Sequence, residues 1–351
     1  MRFDKTVIAT AVTMAFVSSP LMAAIDGKLS GHINRAVMFF DDGETSQTRH
    51  VDNDSSSTRV RFNGATTVDT TTVGINMEFQ AESNSTADVN QDRGDNDFEF
   101  GERILEFTVS DNWGKISVGQ GSTASDGTSE KDMSGTTLVG YSDTNISGGG
   151  LLFRESGDKA EVPGSGITVG GVFTNMDGNS RKDRFRYDTP SMAGFSLGLS
   201  HADSGDSDLG LHYGANYSGM KLAAGLGYVD YDSGDNDSQL AGSVSVALDG
   251  GLNVTAAGGS RDAKSGSDAD FGYLKVGYRM GDNAFSVDYH LSDEAEAGHE
   301  GTSYGVQYVR DIKAFSTEAY AGVRNYELKD NSGAANYEDV AVALIGARVK
   351  F

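Results

Sequence analysis

The chain has 351 residues, a formal net charge of −23, 46 glycines, three prolines and no cysteine. Without cysteine there is no disulfide scaffold and no thiolate-built zinc or iron–sulfur site. The acidic balance excludes nucleic acid as a partner, because phosphate binding needs a basic face.

The first residues read as an export signal. Arg2 and Lys5 form a positive region, Val7 to Val17 an apolar one, Pro20 a break, and Ala23 and Ala24 a small-residue cleavage site. The expected division is a signal peptide over 1–24 and a barrel domain over 25–351. Arg2, Lys5 and Asp4 leave with the leader and take one net positive charge, so −23 becomes −24. Beyond it no run of ~20 apolar residues offers a helical membrane span.

Period-2 alternation marks strands with two unlike faces. It predicts strands over 25–40, 56–68, 70–83, 99–110 and 113–120, with a phase break, read as a β-bulge, near Ile104 and Leu105. A long irregular stretch, Gly121 to Lys182, follows. Strands resume at 183–189, 194–202, 208–218, 220–231, 238–248, 252–261, 270–280, 284–292, 302–312, 315–327 and 338–351. The window from Phe285 to Leu291 is the clearest: every odd position is apolar and every even one polar. These are five strands and eleven, sixteen in all. Counting 149–156 and 167–174 as strands gives eighteen; both are short, glycine-bounded and poorly alternating. No helix is expected.

Two kinds of connector take turns. Short ones are Ser218-Gly219-Met220, Asp249-Gly250-Gly251 and Gly281-Asp282-Asn283; long acidic ones are 201–208, 232–238, 262–270 and 292–301. Membrane barrels of the outer-membrane type have short periplasmic turns and longer external loops. The polar strand faces carry Lys, Arg, Asp, Glu, His and many Gly, which suits a wet interior and an apolar exterior. The fold class is therefore all-β, a 16-stranded antiparallel transmembrane β-barrel.

Several segments resemble one family. Leu29–Arg35 and Ser57–Gly64 resemble the first two strands of the general diffusion porins of Gram-negative outer membranes. Trp113–Gln120 resembles the fifth strand, which leads into the constriction loop. Arg184-Phe185-Arg186-Tyr187-Asp188-Thr189-Pro190, followed by Ala193-Gly194-Phe195, resembles the signature after that loop. Phe351 resembles the terminal residue that the barrel-assembly machinery reads. The resemblance implies a homotrimer and a long third loop folded into the lumen, here longer than usual. It implies no cofactor.

Arg59 and Arg61 share a strand face opposite Thr58, Val60 and Phe62, so the arginines point into the lumen. Arg184 and Arg186 alternate likewise with Phe185 and Tyr187, and Arg103 joins them across the bulge. By resemblance, the loop acids Asp126, Glu130 and Asp132 face these arginines across the eyelet. Arg35 shares a phase with Ile33 and Val37 and is left unassigned between a subunit contact and a bulge. The terminal strand turns Ile345, Ala347 and Val349 outward.

Other motifs are weaker. Asp203–Asp208 and Asp232–Asp237 are oxygen-rich but lack the spacing of a dedicated calcium loop; they read as solvated loops that divalent ions bridge to lipopolysaccharide. His32, His212 and His290 fall on polar faces and read as lumen-lining. Gly148–Gly150 and Gly119–Gly121 precede no helix and are not phosphate loops. The function expected is a channel for passive diffusion of ions and small hydrophilic solutes in the outer membrane. The alternative is a substrate-selective porin, for sugars or anions, with a site at the constriction loop. A barrel enzyme would need a serine beside Asp288 and His290, and none is marked. The acidic loops lead to an expected weak cation preference that fades with salt.

Overall fold

The computed structural model describes residues 25–93, 98–156 and 166–351; the leader assigned to 1–24 lies outside them. Seventeen strands form one antiparallel sheet. They are β1 (Asp26–Asp41), β2 (Ser46–Asp52), β3 (Arg59–Val68), β4 (Thr71–Glu82), β5 (Glu99–Asp111), β6 (Gly114–Ser122), β7 (Arg181–Asp188), β8 (Phe195–Ala202), β9 (Ser207–Tyr217), β10 (Met220–Asp230), β11 (Asn236–Leu248), β12 (Leu252–Ala263), β13 (Ala269–Met280), β14 (Asn283–Asp293), β15 (His299–Ile312), β16 (Thr317–Asp330) and β17 (Val340–Lys350).

β2 and β3 share one place in the wall. β1 pairs with β3 from Asp26↔Ala65 to His32↔Arg59, then with β2 from Arg35↔Asp52 to Asp41↔Ser46. β17 closes on β1 from His32↔Lys350 to Asp41↔Ala341. Sixteen wall positions result. The segments 149–156 and 167–174 add none: they share one isolated bridge, Leu152↔Thr168. The second segment holds a four-residue helix, α1 (Val169–Val172), and short 3-10 turns occur at Asp54–Ser56, Thr144–Ser147 and Lys313–Phe315, against the expectation of no helix. The strand β2 escaped sequence reading because Ser46-Gln47-Thr48-Arg49-His50 is polar on both faces.

The bulge lies at Arg103. Glu78 pairs with Ile104 and Phe79 with Glu102, which leaves Arg103 as the extra residue. Alternation sorts the two faces as expected: Phe285, Val287, Tyr289 and Leu291 are exposed on the outside, and Ser286, Asp288, His290 and Ser292 are buried inside. Aromatic pairs outside the wall cluster near the short turns: Trp113–Tyr187 at 6.4 Å, Phe195–Tyr213 at 4.3 Å and Phe285–Tyr308 at 4.8 Å between ring centroids. Such girdles suit a membrane–water interface. Phe351 is outward as well, and its backbone exchanges hydrogen bonds of 2.9 and 3.0 Å with Gly31. A Cβ on Gly31 would stand 2.6 Å from the Phe351 ring, so glycine makes room for it.

The described parts of the stretch between β6 and β7, 123–156 and 166–180, run along the inward face of the wall. The Ala124 amide donates to Ser200 Oγ (2.8 Å), the Lys131 amide to Ser243 Oγ (2.8 Å) and the Met133 amide to Ser245 Oγ (3.0 Å). Ser292 Oγ donates to the Val172 carbonyl and Tyr326 OH to the Thr144 carbonyl. Wall glycines admit the passing backbone: a Cβ on Gly210 would lie 2.0 Å from the Ala124 carbonyl oxygen.

The interior is not polar throughout. Met38, Phe40, Val51, Tyr326, Leu328, Val340, Val342 and Leu344 face inward and pack against Leu138, Leu151, Phe153, Val169, Val172 and Phe173 of the inner stretch. β1 and β17 are therefore apolar on both faces in their upper halves, lipid-side and loop-side. Burial of these side chains, worth roughly 1.5–3 kcal/mol each, holds the stretch to the wall.

Candidate functional site

The inner stretch divides the lumen unequally. Inward residues of β13 to β16 are sealed beneath it: Lys275, Asp288, His290, Ser303, Gln307 and Arg324 are all at most 5% exposed. The opposite wall, with Asn76, Arg103, Glu106 and Arg186, remains half-open. A cavity of about 560 Å³ lies between the two.

Arginines supply the wall side of that cavity: Arg59 from β3, Arg103 from the β5 bulge, Arg181 at the start of β7 and Arg348 from β17. Glu78 gathers the first group. Its Oε1 is 2.9 Å from Arg103 Nε and 3.7 Å from Arg59 Nε, and Arg61 pairs with Oε2. Arg103 also donates to Gln80 Oε1 at 2.7 Å. One carboxylate among three guanidinia holds them side by side and leaves net positive charge facing the cavity. Arg348 is fixed by Glu318 (2.7 Å) and Ser56 Oγ (2.7 Å).

Carboxyls supply the other side: Asp126, Glu130, Asp143 and Asp177 from the inner stretch, with Tyr141 and Asn175, and Asp54 from the turn between β2 and β3. That turn is pinned to the stretch, since Asn53 Nδ2 and Ser55 Oγ both donate to the Leu138 carbonyl at 2.6 Å. Asp177 organises its neighbours by accepting from the Gly127 amide (2.7 Å) and Ser129 Oγ (2.9 Å). Glu130 accepts from Asn175 Nδ2 at 3.0 Å. Burial, reinforced by neighbouring carboxylates, raises Asp143 to about 7 and Asp177 to about 6, and holds Glu130 well above its usual range.

The residues singled out in the sequence fall in different places. Arg59, Arg103, Asp126 and Glu130 meet at the cavity. Arg61 is inward but is turned to Glu78 and His32. Arg184 is buried, donating to the Ser122 carbonyl (3.0 Å) and the Gly119 carbonyl (2.8 Å) and pairing with Glu106. Arg186 grips Asp188 (2.7 Å) and the Thr123 carbonyl (2.6 Å). These two arginines fasten the root of the inner stretch. Asp132 departs most from expectation: it faces β13 rather than the arginines, 2.8 Å from Lys275 Nζ. The path of the stretch turns it away.

Arg181, Arg348, Asp54, Asp143 and Asp177 were not singled out. Arg348 had a signal, its alternation with Ala347 and Val349; the carboxyls of an irregular stretch had none. Arg35 is outward, 2.6 Å from Asp52. His290 is fully buried among Phe173, Phe271 and Tyr273, not at open lumen. Asp288 is engaged by Arg324 (2.7 Å), Gln307 (2.6 Å) and Tyr273 (3.2 Å) rather than by His290. Among the described residues no cluster of three or more His, Asp or Glu forms a metal site.

A closed antiparallel barrel of sixteen wall positions, apolar outside and charged within, is a membrane β-barrel of the outer-membrane type. The Gram-negative porin family model matches residues 9–331, and the chain belongs to that family. Solved structures with the same fold include the anion-selective porin from Comamonas acidovorans, at 16% identity and TM-score 0.62, covering 93% of this chain and 100% of that one. In-vitro folded OmpT of Vibrio cholerae, in its trimer form, has 15% identity and TM-score 0.59, with coverage of 93% and 100%. A mutant of Rh. blastica porin has 17% identity and TM-score 0.58, again with 93% and 100%. Among curated proteins no sequence matches.

Proposed function

We propose that the protein is a water-filled channel of the outer membrane, through which ions and small hydrophilic solutes diffuse passively. The carrying observation is the cavity between an arginine wall and an acidic inner stretch, with the inward faces of β13 to β16 sealed beneath that stretch. Solutes would pass between Arg59, Arg103, Arg181 and Arg348 on one side and Asp126, Glu130, Asp143 and Asp177 on the other. Opposed charges across a low-dielectric gap set a transverse field that orients water and zwitterions. The stretch 123–180 is then the constriction loop.

The assembly is a homotrimer. Arg35 is outward and 45% exposed, paired with an Asp52 that is only 3% exposed. A guanidinium facing lipid is costly, and a neighbouring subunit removes it from lipid. Beside it, small Ala341 and Ala343 floor a groove of about 670 Å³ between Phe39 and Tyr304, open to a partner's side chains. The trimeric OmpT of Vibrio cholerae shares the fold. Reconstitution in a planar bilayer should give ohmic conductance appearing in groups of three equal steps. Protein that inserts without conducting would overturn the channel, and single isolated steps would overturn the trimer.

A second reading, a binding site for anionic solutes, is favoured by four guanidinia around one cavity, and the Comamonas acidovorans relative in fold is anion-selective. Concentration-dependent block of chloride current by a small dicarboxylate would support it.

Assembly begins from export by the leader at 1–24 and recognition of Phe351 by the barrel-assembly machinery; the long loops then meet lipopolysaccharide. Deleting Phe351 removes a side chain that makes no core contact and yet should lower the folded yield in the outer membrane several-fold. An unchanged heat-modifiable fraction on gels would refute that role.

A further inference from the structure

We propose that Arg154 is a positioning residue of the channel: through a latch at the outer rim it holds the far limb of the inner stretch in the lumen, and so sets the largest solute that passes. This deepens the channel reading and rests on it.

The inner stretch has two limbs with different supports. Its near limb, 123–136, hangs by backbone amides on the wall hydroxyls of Ser200, Ser243 and Ser245. Its far limb, 138–156 with 166–174, occupies the sector of the lumen in front of β1, β16 and β17. It packs there through Leu138, Leu151, Phe153, Val169, Val172 and Phe173. Apolar packing is non-directional. It keeps this sector dry without fixing how far the limb reaches into the lumen.

The fixed point of the far limb lies at the rim. Leu151 and Phe153 are fully buried, Arg154 is buried, and Glu155 and Ser156 are exposed, so the chain surfaces directly after Arg154. The rim is the outer one, because Asp42 and the segment 331–339 lie at the ends of β1 and β17 opposite the short turns. Four segments converge on it. Arg154 Nε stands 3.0 Å from Asp42 Oδ2, with side-chain exposures of 11% and 0%. The other oxygen of Asp42 accepts from the amides of Glu44 (3.1 Å) and Thr45 (2.7 Å), so one carboxylate ties the guanidinium to the turn after β1. Burial opposes the ionisation of Asp42, but hydrogen bonds from the Thr45 amide and from Arg154 outweigh it and hold the carboxyl below its usual range. From the last external loop, the Glu338 amide donates to the Arg154 carbonyl and the Ser156 amide donates to the Asn336 carbonyl, both at 2.8 Å, and Glu155 pairs with Tyr337. From the loop after β4, Gln91 holds Leu152 at its amide (3.0 Å) and its carbonyl (2.7 Å). The backbone bonds align the limb with the surface loops; the buried ion pair fixes its depth. Without Arg154, a buried carboxylate loses its charged partner.

The chain has no cysteine, so a single thiol reports on each limb. Ser147→Cys lies on the far limb and Ser134→Cys on the near one, at positions 5% and 0% exposed. On intact cells both should resist a membrane-impermeant maleimide. Adding Arg154→Gln should speed labelling at position 147 by on the order of a hundredfold, the opening that an orphaned buried charge drives, and leave Ser134→Cys protected. In planar bilayers Arg154→Gln should carry more current than wild type and admit larger neutral polyethylene glycols. Asp42→Asn added to Arg154→Gln removes the orphaned charge and should return both readouts most of the way, which loss of the arginine stem alone would not allow. Unchanged labelling overturns the proposal, as does labelling that rises equally on both limbs. Faster labelling with an unchanged polymer cutoff also overturns it, because the limb then moves without widening the pore. A wild type that inserts without conducting overturns the channel reading and the size-setting role with it. A conducting wild type whose cutoff Arg154→Gln leaves unchanged overturns the role of Arg154 alone.

Discussion

Replacing Arg59 and Arg103 together by Ser should enlarge single-channel conductance and raise the cation-to-anion permeability ratio by up to about a hundredfold at low salt. The estimate follows from Coulomb's law: a unit charge ~6 Å from a permeating ion in water is worth ~0.7 kcal/mol, so two removed charges favour a cation by ~1.4 kcal/mol and disfavour an anion by as much, a factor of about ten for each. Both guanidinia are 15% exposed and line the cavity. Their removal leaves Glu78 paired with Arg61, so the wall keeps its inner ion pair. Neutralising Arg184 instead should do little to selectivity, because its guanidinium is buried against carbonyls and Glu106. Equal shifts from both sets of substitutions would place the eyelet elsewhere.

Lys275→Met should unseat the inner stretch without unfolding the barrel. Lys275 and Asp132 are 0% and 2% exposed, and Lys275 Nζ also donates to the Gly140 carbonyl at 2.6 Å. Removing one partner of a buried pair leaves an uncompensated charge, a loss of about 3–5 kcal/mol. The ladder on both sides of β13 is continuous, from Leu252↔Tyr278 to Arg261↔Ala269 and from Asp270↔Asp293 to Met280↔Asn283, so the wall remains closed. Current should become larger and noisier, and protease should cut within 123–180. Adding Asp132→Leu to Lys275→Met should restore quiet conductance, since an apolar pair replaces the ionic one. Quiet wild-type current from Lys275→Met alone would show that the apolar packing of Phe153, Val172 and Phe173 suffices to hold the stretch.

Both predictions depend on information that the sequence distributes unevenly. The wall was legible because a strand's two faces alternate with period two. Phe285 to Leu291 declares its own orientation within seven residues, whatever the rest of the chain does. Even the bulge at Arg103 showed, as a break of phase. Strand β2 did not show, because polar residues on both faces give alternation nothing to report.

The site was legible only by half. Arg59 and Lys275 are equally inward by phase, yet Arg59 borders the cavity and Lys275 is sealed. What separates them is the path of the inner stretch, and that path is set by contacts far apart in the chain. Lys131 meets Ser243 across 112 positions, and Thr136 meets Ser286 across 150. The apolar inward faces of β1 and β17 have the same origin: Met38, Val340 and Leu344 are inside because Leu151 and Phe153 cover them. Sequence alone determined an all-β chain of sixteen wall strands, its outer and inner faces and its arginine-bearing wall, since each of these is a local repeat. Only the tertiary structure decided which inward charges border the cavity and which are buried in pairs, since an irregular segment carries no period from which the direction of its side chains follows.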